Sequence, residues 1–83
     1  MKLNENIILK DMQGEAVLLN LDTGDYYSLN AVGNKIINLT LEDMTVDEIA
    51  AELIEIYDID EKTAKSDINS LINDLINNNI LEI

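Results

Sequence analysis

The spacing of apolar residues changes once along the chain, near Asn30, and this change constrains the fold more than any other feature. Before Asn30, short apolar runs are separated by polar turns, which is typical of antiparallel strands. After Asn30, apolar residues recur every three to four positions, which is typical of amphipathic helices. The sequence therefore predicts an α+β fold in which a small sheet precedes a group of helices.

The N-terminal part predicts a three-stranded antiparallel sheet. The expected strands lie between about residues 6 and 30, at 6–10, 16–21 and 26–29. A polar segment, residues 11–15, separates the first two strands. The Asp22–Asp25 segment has the composition of a tight hairpin turn, with Gly24 suited to a positive φ.

Three helices are predicted between about residues 31 and 79. Asn30, Thr45 and Asp60 are suitable N-caps, and Thr45 forms a capping box with Glu48. The expected helices cover 31–40, the segment from Thr45 to Tyr57, and 61–78; residues 80–83 follow as an apolar tail. This order predicts one small winged-helix-like domain over residues 1–83, a length that leaves no room for a second domain.

Charge limits the partners that the chain can bind. It has 17 Asp and Glu residues against 5 Lys and Arg, for a net charge of −12. Such a chain repels nucleic acid and anionic membranes, and favours a neutral or basic peptide or a basic protein face. No apolar run approaches the length of a membrane span or a signal peptide, so we expect a cytoplasmic protein.

The residue types needed for catalysis or metal binding are scarce. The chain has no His and no Cys, which excludes Cys/His metal sites and cysteine nucleophiles. Asp58-Ile59-Asp60 begins like a calcium loop, but Thr63 and Asn69 occupy the positions of its glycine and closing glutamate. We therefore expect neither an enzyme nor a metal or cofactor site.

Two other small acidic or helical classes fit poorly. An acyl carrier needs an Asp-Ser-Leu start to a helix, whereas Ser70 follows Asn69 deep inside the third helix. The last two helices could form a helix-turn-helix, but the third presents Asp67 and Asp74 with only Lys62 and Lys65 as cations. The geometry of a DNA-binding motif is therefore expected without the function.

Tyr26 and Tyr27 follow the hairpin turn, so strand alternation places one ring on each face of the sheet. In one interpretation, one ring joins the core and the other only covers the sheet. In the other, the strand is a sheet edge to which an extended peptide can add itself. The residues alone leave both open.

The segment from Gly14 to Ile83 resembles the PqqD-like family, whose members are RiPP precursor recognition elements. The resemblance rests on the strand–turn segment ending in Tyr27-Ser28-Leu29-Asn30, on the small-residue helix start at residues 31–37, and on Thr45-Val46-Asp47-Glu48-Ile49. The segment from Tyr57 to Asp60 and the Asp67-Ile68 pair with the Leu71/Leu75 spacing resemble the family's last helix.

The resemblance implies a binding module without catalytic activity. Family members hold the leader region of a ribosomally made precursor peptide and present it to a maturation enzyme. The leader pairs as an added antiparallel strand between the third strand and the third helix. Carried onto this chain, the implied peptide-binding residues are Asp25, Tyr26, Tyr27, Ser28, Leu29, Asp67, Ile68, Leu71 and Asp74.

Each helical residue in this set has a second interpretation. Ile68 and Leu71 would form an apolar pocket for a leader side chain, or would simply pack in the core. Asp67 and Asp74 would pair with basic leader residues, or would only be solvated. The maturation enzyme stays open: a radical SAM enzyme, a leader peptidase, a cyclodehydratase or a glycosyltransferase would each fit. The alternative class is a winged-helix-like regulator that binds protein rather than DNA.

Overall fold

The computed structural model describes residues 1–83. The elements are β1 (Lys2–Leu3), β2 (Ile7–Met12), β3 (Glu15–Asn20), β4 (Tyr26–Leu29), α1 (Ala31–Leu41), α2 (Val46–Ile56), α3 (Glu61–Asn77) and β5 (Leu81–Glu82). The prediction of an antiparallel three-stranded sheet followed by three helices is confirmed. None of the helices is long and apolar enough to cross a membrane.

The main sheet has the strand order β2-β3-β4, and both pairings are antiparallel. Two residues connect β2 to β3: Gln13 and Gly14, with φ of 57° and 90°. Positive φ at both positions defines the tight hairpin turn whose twist matches that of the strands. Because this turn is so short, pairing extends to Met12 opposite Glu15, beyond the strand end predicted at residue 10.

The three predicted N-caps are confirmed. The Asn30 side chain accepts a hydrogen bond from the Gly33 N–H at 2.9 Å, and the Asp60 carboxylate accepts one from the Thr63 N–H at 2.7 Å. Thr45 and Glu48 form the reciprocal capping box. These bonds satisfy N–H groups that have no partner inside a helix, and so they fix where each helix begins.

The two ends of the chain differ from the sequence expectation. Leu81 and Glu82 do not form a free apolar tail but pair as β5 with β1, with Leu3 opposite Leu81 and Lys2 opposite Glu82. Leu81 is buried, which explains why this short segment is held in place.

The interior contains two buried apolar clusters. One joins the sheet to the last turns of α3 and to Ile80 and Leu81; the other joins α1, α2 and α3. Leu71 and Ile76 are half-buried and pack against both clusters. These two side chains, which flank the buried stripe of α3 on either side, therefore connect the sheet side of the molecule to the helical side.

Candidate functional site

β4 lies at an edge of the sheet, with β3 on one side and no strand on the other. Its side chains alternate: Tyr27 is half-buried and Leu29 is buried, while Tyr26 and Ser28 are exposed. The prediction that the two tyrosine rings lie on opposite faces of the strand is confirmed. The inward face of β4 is thus apolar, and its backbone is available along one edge.

The hydrogen-bond pattern fixes which backbone groups point to that edge. The Asn20 N–H donates to the Asp25 carbonyl oxygen at 2.8 Å, so this pair is hydrogen-bonded across β3 and β4. In an antiparallel ladder, hydrogen-bonded pairs alternate with pairs whose N–H and C=O groups point outward. The register places Leu18 opposite Tyr27 and Val17 opposite Ser28. Tyr27 therefore bonds to β3, whereas Tyr26 and Ser28 direct their N–H and C=O groups away from it.

A groove of about 400 Å³, here called the β4 groove, runs beside this edge. Three elements line it. The lining residues are Tyr27, Ser28, Leu29 and Asn30 from β4 and its end, Val32, Gly33 and Ile36 from α1, and Asp67 and Leu71 from α3. The groove thus combines unpaired main-chain groups on one wall with aliphatic side chains on the others, which suits an extended peptide.

Gly33 allows α1 to approach β4 closely enough to form one wall. A Cβ atom at this position would lie 3.2 Å from Leu29 Cδ2 and 3.3 Å from Leu29 Cβ. These separations are shorter than ordinary carbon–carbon contacts of about 3.5–4.0 Å. A side chain at residue 33 would therefore force the Leu29 side chain, which lines the same groove, to shift.

The charge of the groove is negative. Asp67 is its single charged lining residue, and none of the chain's lysines lines it. Three lysines pair with carboxylates elsewhere: Lys2 with Glu82 at 3.8 Å, Lys35 with Glu52 at 3.7 Å, and Lys65 with Glu61 and Asp47 at 2.9 and 3.0 Å. The hydrogen bonds that the Lys65 ammonium donates to Glu61 and Asp47 raise the pKa of Lys65. A neutral or basic ligand suits this site better than an acidic one.

A second, smaller cavity of about 220 Å³ continues from Tyr27 toward the end of α3. Its lining includes Asp25 and Tyr26 from the hairpin side, and Asn78, Asn79 and Ile80 from the segment after α3. Tyr27 lines both spaces. Five of the residues predicted from the sequence therefore line the β4 groove: Tyr27, Ser28, Leu29, Asp67 and Leu71. Asp25 and Tyr26 line the second cavity.

Two of the predicted residues lie elsewhere. Ile68 is fully buried among α1, α2 and α3, so its side chain supports the helix from beneath and does not line the groove. The apolar pocket expected from Leu71 with Ile68 is instead formed by Leu71 with residues of β4 and α1. Asp74 is exposed on α3, and it lines neither the β4 groove nor the second cavity.

The contribution of α1 to the groove was missed from the sequence. Val32 and Ile36 fit the apolar stripe of a helix, a pattern that by itself indicates core packing, yet both line the groove. Gly33 near the start of an otherwise regular helix was the signal that could have found this wall, because glycine there indicates a close backbone approach. No group of three or more carboxylate side chains is arranged to hold a metal ion.

The fold and the groove can be compared with known proteins. A family model described as coenzyme PQQ synthesis protein D (PqqD) matches residues 15–81. This match covers most of the chain and includes all three helices and β3 and β4. The chain belongs to the PqqD family.

Two solved structures are similar over nearly the whole chain. One is TbiB1 in complex with the TbiA(beta) leader peptide: it is 33% identical, has a TM-score of 0.87, and the match covers 99% of this chain and 95% of that one. The other is lasso peptide synthetase B1 complexed with the leader peptide, at 25% identity and a TM-score of 0.89, covering 95% and 93%. No curated protein sequence gives a match.

Proposed function

We propose that this chain is a non-catalytic module that binds the leader region of a ribosomally made precursor peptide. The leader adds to the sheet as an antiparallel strand at the β4 edge, and its side chains enter the β4 groove. The observation that carries the proposal is the unpaired edge of β4 directly beside a groove walled by α1 and α3. The leader-peptide complexes of the two similar structures support it.

The affinity would come mainly from the main chain. Tyr26 and Ser28 each offer one N–H and one C=O, and each hydrogen bond contributes about 1 kcal/mol net. Such bonds do not depend on the leader's sequence. Selectivity would come from side chains of the groove, where Val32 and Leu71 accept an aliphatic or aromatic residue and Asp67 favours a nearby Lys or Arg.

The rest of the function concerns what happens to the bound peptide. With the leader held at β4, the precursor's core would extend away from the domain toward a maturation enzyme such as a radical SAM enzyme or a leader peptidase. In this proposal the whole span 1–83 acts as one peptide-recognition domain in the cytoplasm. Asp25 and Tyr26 would contact the leader at the end of β4, and Asp74 would at most attract it from a distance.

The direct test is titration of the isotope-labelled chain with the leader half of the precursor peptide encoded beside its gene, followed by amide chemical shifts. We expect saturable shifts at residues 26–33 and 67–71, with a Kd in the micromolar range or tighter. A reversed-sequence peptide of the same composition is the control. The absence of saturable shifts at these residues, or shifts confined to other surfaces, would contradict the proposal and favour a regulator that binds protein elsewhere. Equal affinities of the two peptides would contradict the selectivity assigned to the groove side chains.

A further inference from the structure

The outer face of the main sheet, opposite the helices, carries an apolar row that crosses all three strands. Ile8 pairs with Leu19, and Leu19 pairs with Tyr26, so these three side chains are neighbours on one face. Their side chains are 47%, 37% and 73% exposed, respectively. We call this set the outer row. Leu21, 59% exposed, continues the alternation of β3 at the end of the row.

This surface is unusual for a chain with this composition. Of the other outward positions on this face, Lys10, Glu15 and Ser28 are polar and Met12 is apolar, whereas exposed apolar side chains normally occur singly. Here, four large ones adjoin one another without any element of the chain packed over them. Two exposed carboxylates, on Asp22 and Asp25, follow Leu21 and precede Tyr26 in the hairpin at the end of the row, while Lys10 is the one cation on this face of the sheet.

The outer row is also continuous with the proposed peptide site. Tyr26 belongs to the row, and its own backbone groups face the free edge of β4. Tyr27, the next residue, lines the β4 groove on the opposite face. A protein bound to the outer row would therefore contact β4, the same strand to which the leader pairs.

We propose that the outer row is the docking surface for the maturation enzyme that acts on the bound precursor, and that the enzyme meets it with an apolar patch bordered by Lys and Arg. This inference rests on the proposed function, and adds to it where the second partner binds. A second copy of the chain is disfavoured because each copy carries a net charge of −12, so that two copies repel one another.

The test compares two double variants. Ile8→Thr/Leu19→Thr makes the outer row polar with a residue that strands accept well, and neither side chain lines the groove. Ile54→Gln/Ile56→Gln is the matched control, because it removes two similarly exposed apolar side chains from α2. The probes are the leader peptide and the maturation enzyme encoded beside this chain's gene, with affinities measured by calorimetry.

We expect the outer-row variant to bind the enzyme at least tenfold more weakly and the leader within twofold of the wild type, while the control keeps both affinities. Unchanged enzyme affinity, or equal losses in both variants, would overturn the inference while leaving leader binding established. Failure of the wild type to bind the leader would instead overturn the proposed function. Sedimentation of the chain alone provides the last outcome: a dimer lost in the outer-row variant would assign this face to a second copy.

Discussion

The backbone N–H of Asn20 donates to the carbonyl oxygen of Asp25 at 2.8 Å, and this bond sets the direction of every backbone group in β4. On the other side of β3, the Leu21 N–H donates to the Asn6 carbonyl oxygen at 2.9 Å, which fixes the complementary alternation toward β2. The two bonds agree, because the even-numbered residues of β3 direct their N–H and C=O groups to β4, where they bond to odd-numbered residues such as Tyr27. The N–H and C=O groups of Tyr26 and Ser28 therefore point to the free edge.

A proline at residue 28 tests the edge. Ser28→Pro removes an N–H that points away from β3, and proline is tolerated at such positions of edge strands. We expect leader affinity to fall at least about fivefold, the equivalent of about 1 kcal/mol for one hydrogen bond, with the fold retained. Ser28→Ala, which keeps the N–H, is the control. Equal affinities of the two folded variants would contradict strand addition at β4.

Tyr27→Pro should behave differently although it changes the adjacent residue. Its N–H belongs to the β3–β4 ladder, opposite Leu18, so proline there breaks the sheet itself. We expect Tyr27→Pro to lower the urea midpoint of unfolding, measured by circular dichroism. Ser28→Pro should lower this midpoint less or leave it unchanged. Equal stability of the two variants would show that the alternation assigned to β4 is wrong.

Leu71 and Ile76 form a matched pair on α3. Both are half-buried and contact both apolar clusters, but only Leu71 lines the β4 groove. We expect Leu71→Ala and Ile76→Ala to lower the free energy of unfolding by similar amounts, about 1–3 kcal/mol, because each leaves a partly filled space. Leader affinity, measured by fluorescence anisotropy well below the melting temperature, should fall clearly only for Leu71→Ala. A similar loss of affinity in both variants would indicate an effect through stability alone.

Asp67 and Asp74 allow the charge of the groove to be tested with two variants of equal net charge. Each change to Asn removes one negative charge from the same helix, but only Asp67 lines the groove. For a leader with a Lys or Arg near this wall, we expect Asp67→Asn to weaken binding by up to about fivefold, as for an exposed ion pair of up to about 1 kcal/mol. The difference between the variants should shrink at high salt. An equal effect of both would mean that only the overall charge matters.

Asp60 gives a prediction for pH. The hydrogen bonds from the backbone and side chain of Thr63 lower the pKa of Asp60 from its ordinary value of 3.8. A carboxylate whose pKa is lower in the folded state contributes to the free energy of unfolding. This contribution is complete when the pH is above the ordinary pKa, and it is lost as the pH falls through the lowered pKa. We therefore expect Asp60→Asn to be less stable than the wild type at pH 7, with the difference shrinking in acid. A constant difference between pH 7 and pH 2.5 in urea titrations would contradict this.

The sequence predicted what is local. The caps at Asn30, Thr45 and Asp60 act on N–H groups within three residues, so their pattern can be found without any knowledge of the fold. The pairing of Leu3 with Leu81 could not be predicted in this way, because two-residue strands carry no periodicity and their partners are far apart in the chain.

The same distinction holds for the site. Residues 27–29 and Leu71 were predicted through the family resemblance, and the structure brings them together beside one groove. Apolar spacing could not decide how Ile68 and Leu71 differ, because both fit the buried stripe of α3. Their roles depend on where α1 and β4 meet that helix: Ile68 points among the helices, and Leu71 points toward the strand.

The β4 groove has one wall of main-chain groups and another of helix side chains, so its binding specificity can evolve separately from its fold. In the proposed mode of binding, the edge of β4 accepts any extended backbone, so substitutions that change partner choice need not touch the sheet. Val32, Asp67 and Leu71 stand on two helices whose starts are held by their own caps. A duplicated gene could therefore acquire a new peptide partner through a few helix-surface changes, while inheriting an intact scaffold and an unchanged mode of attachment.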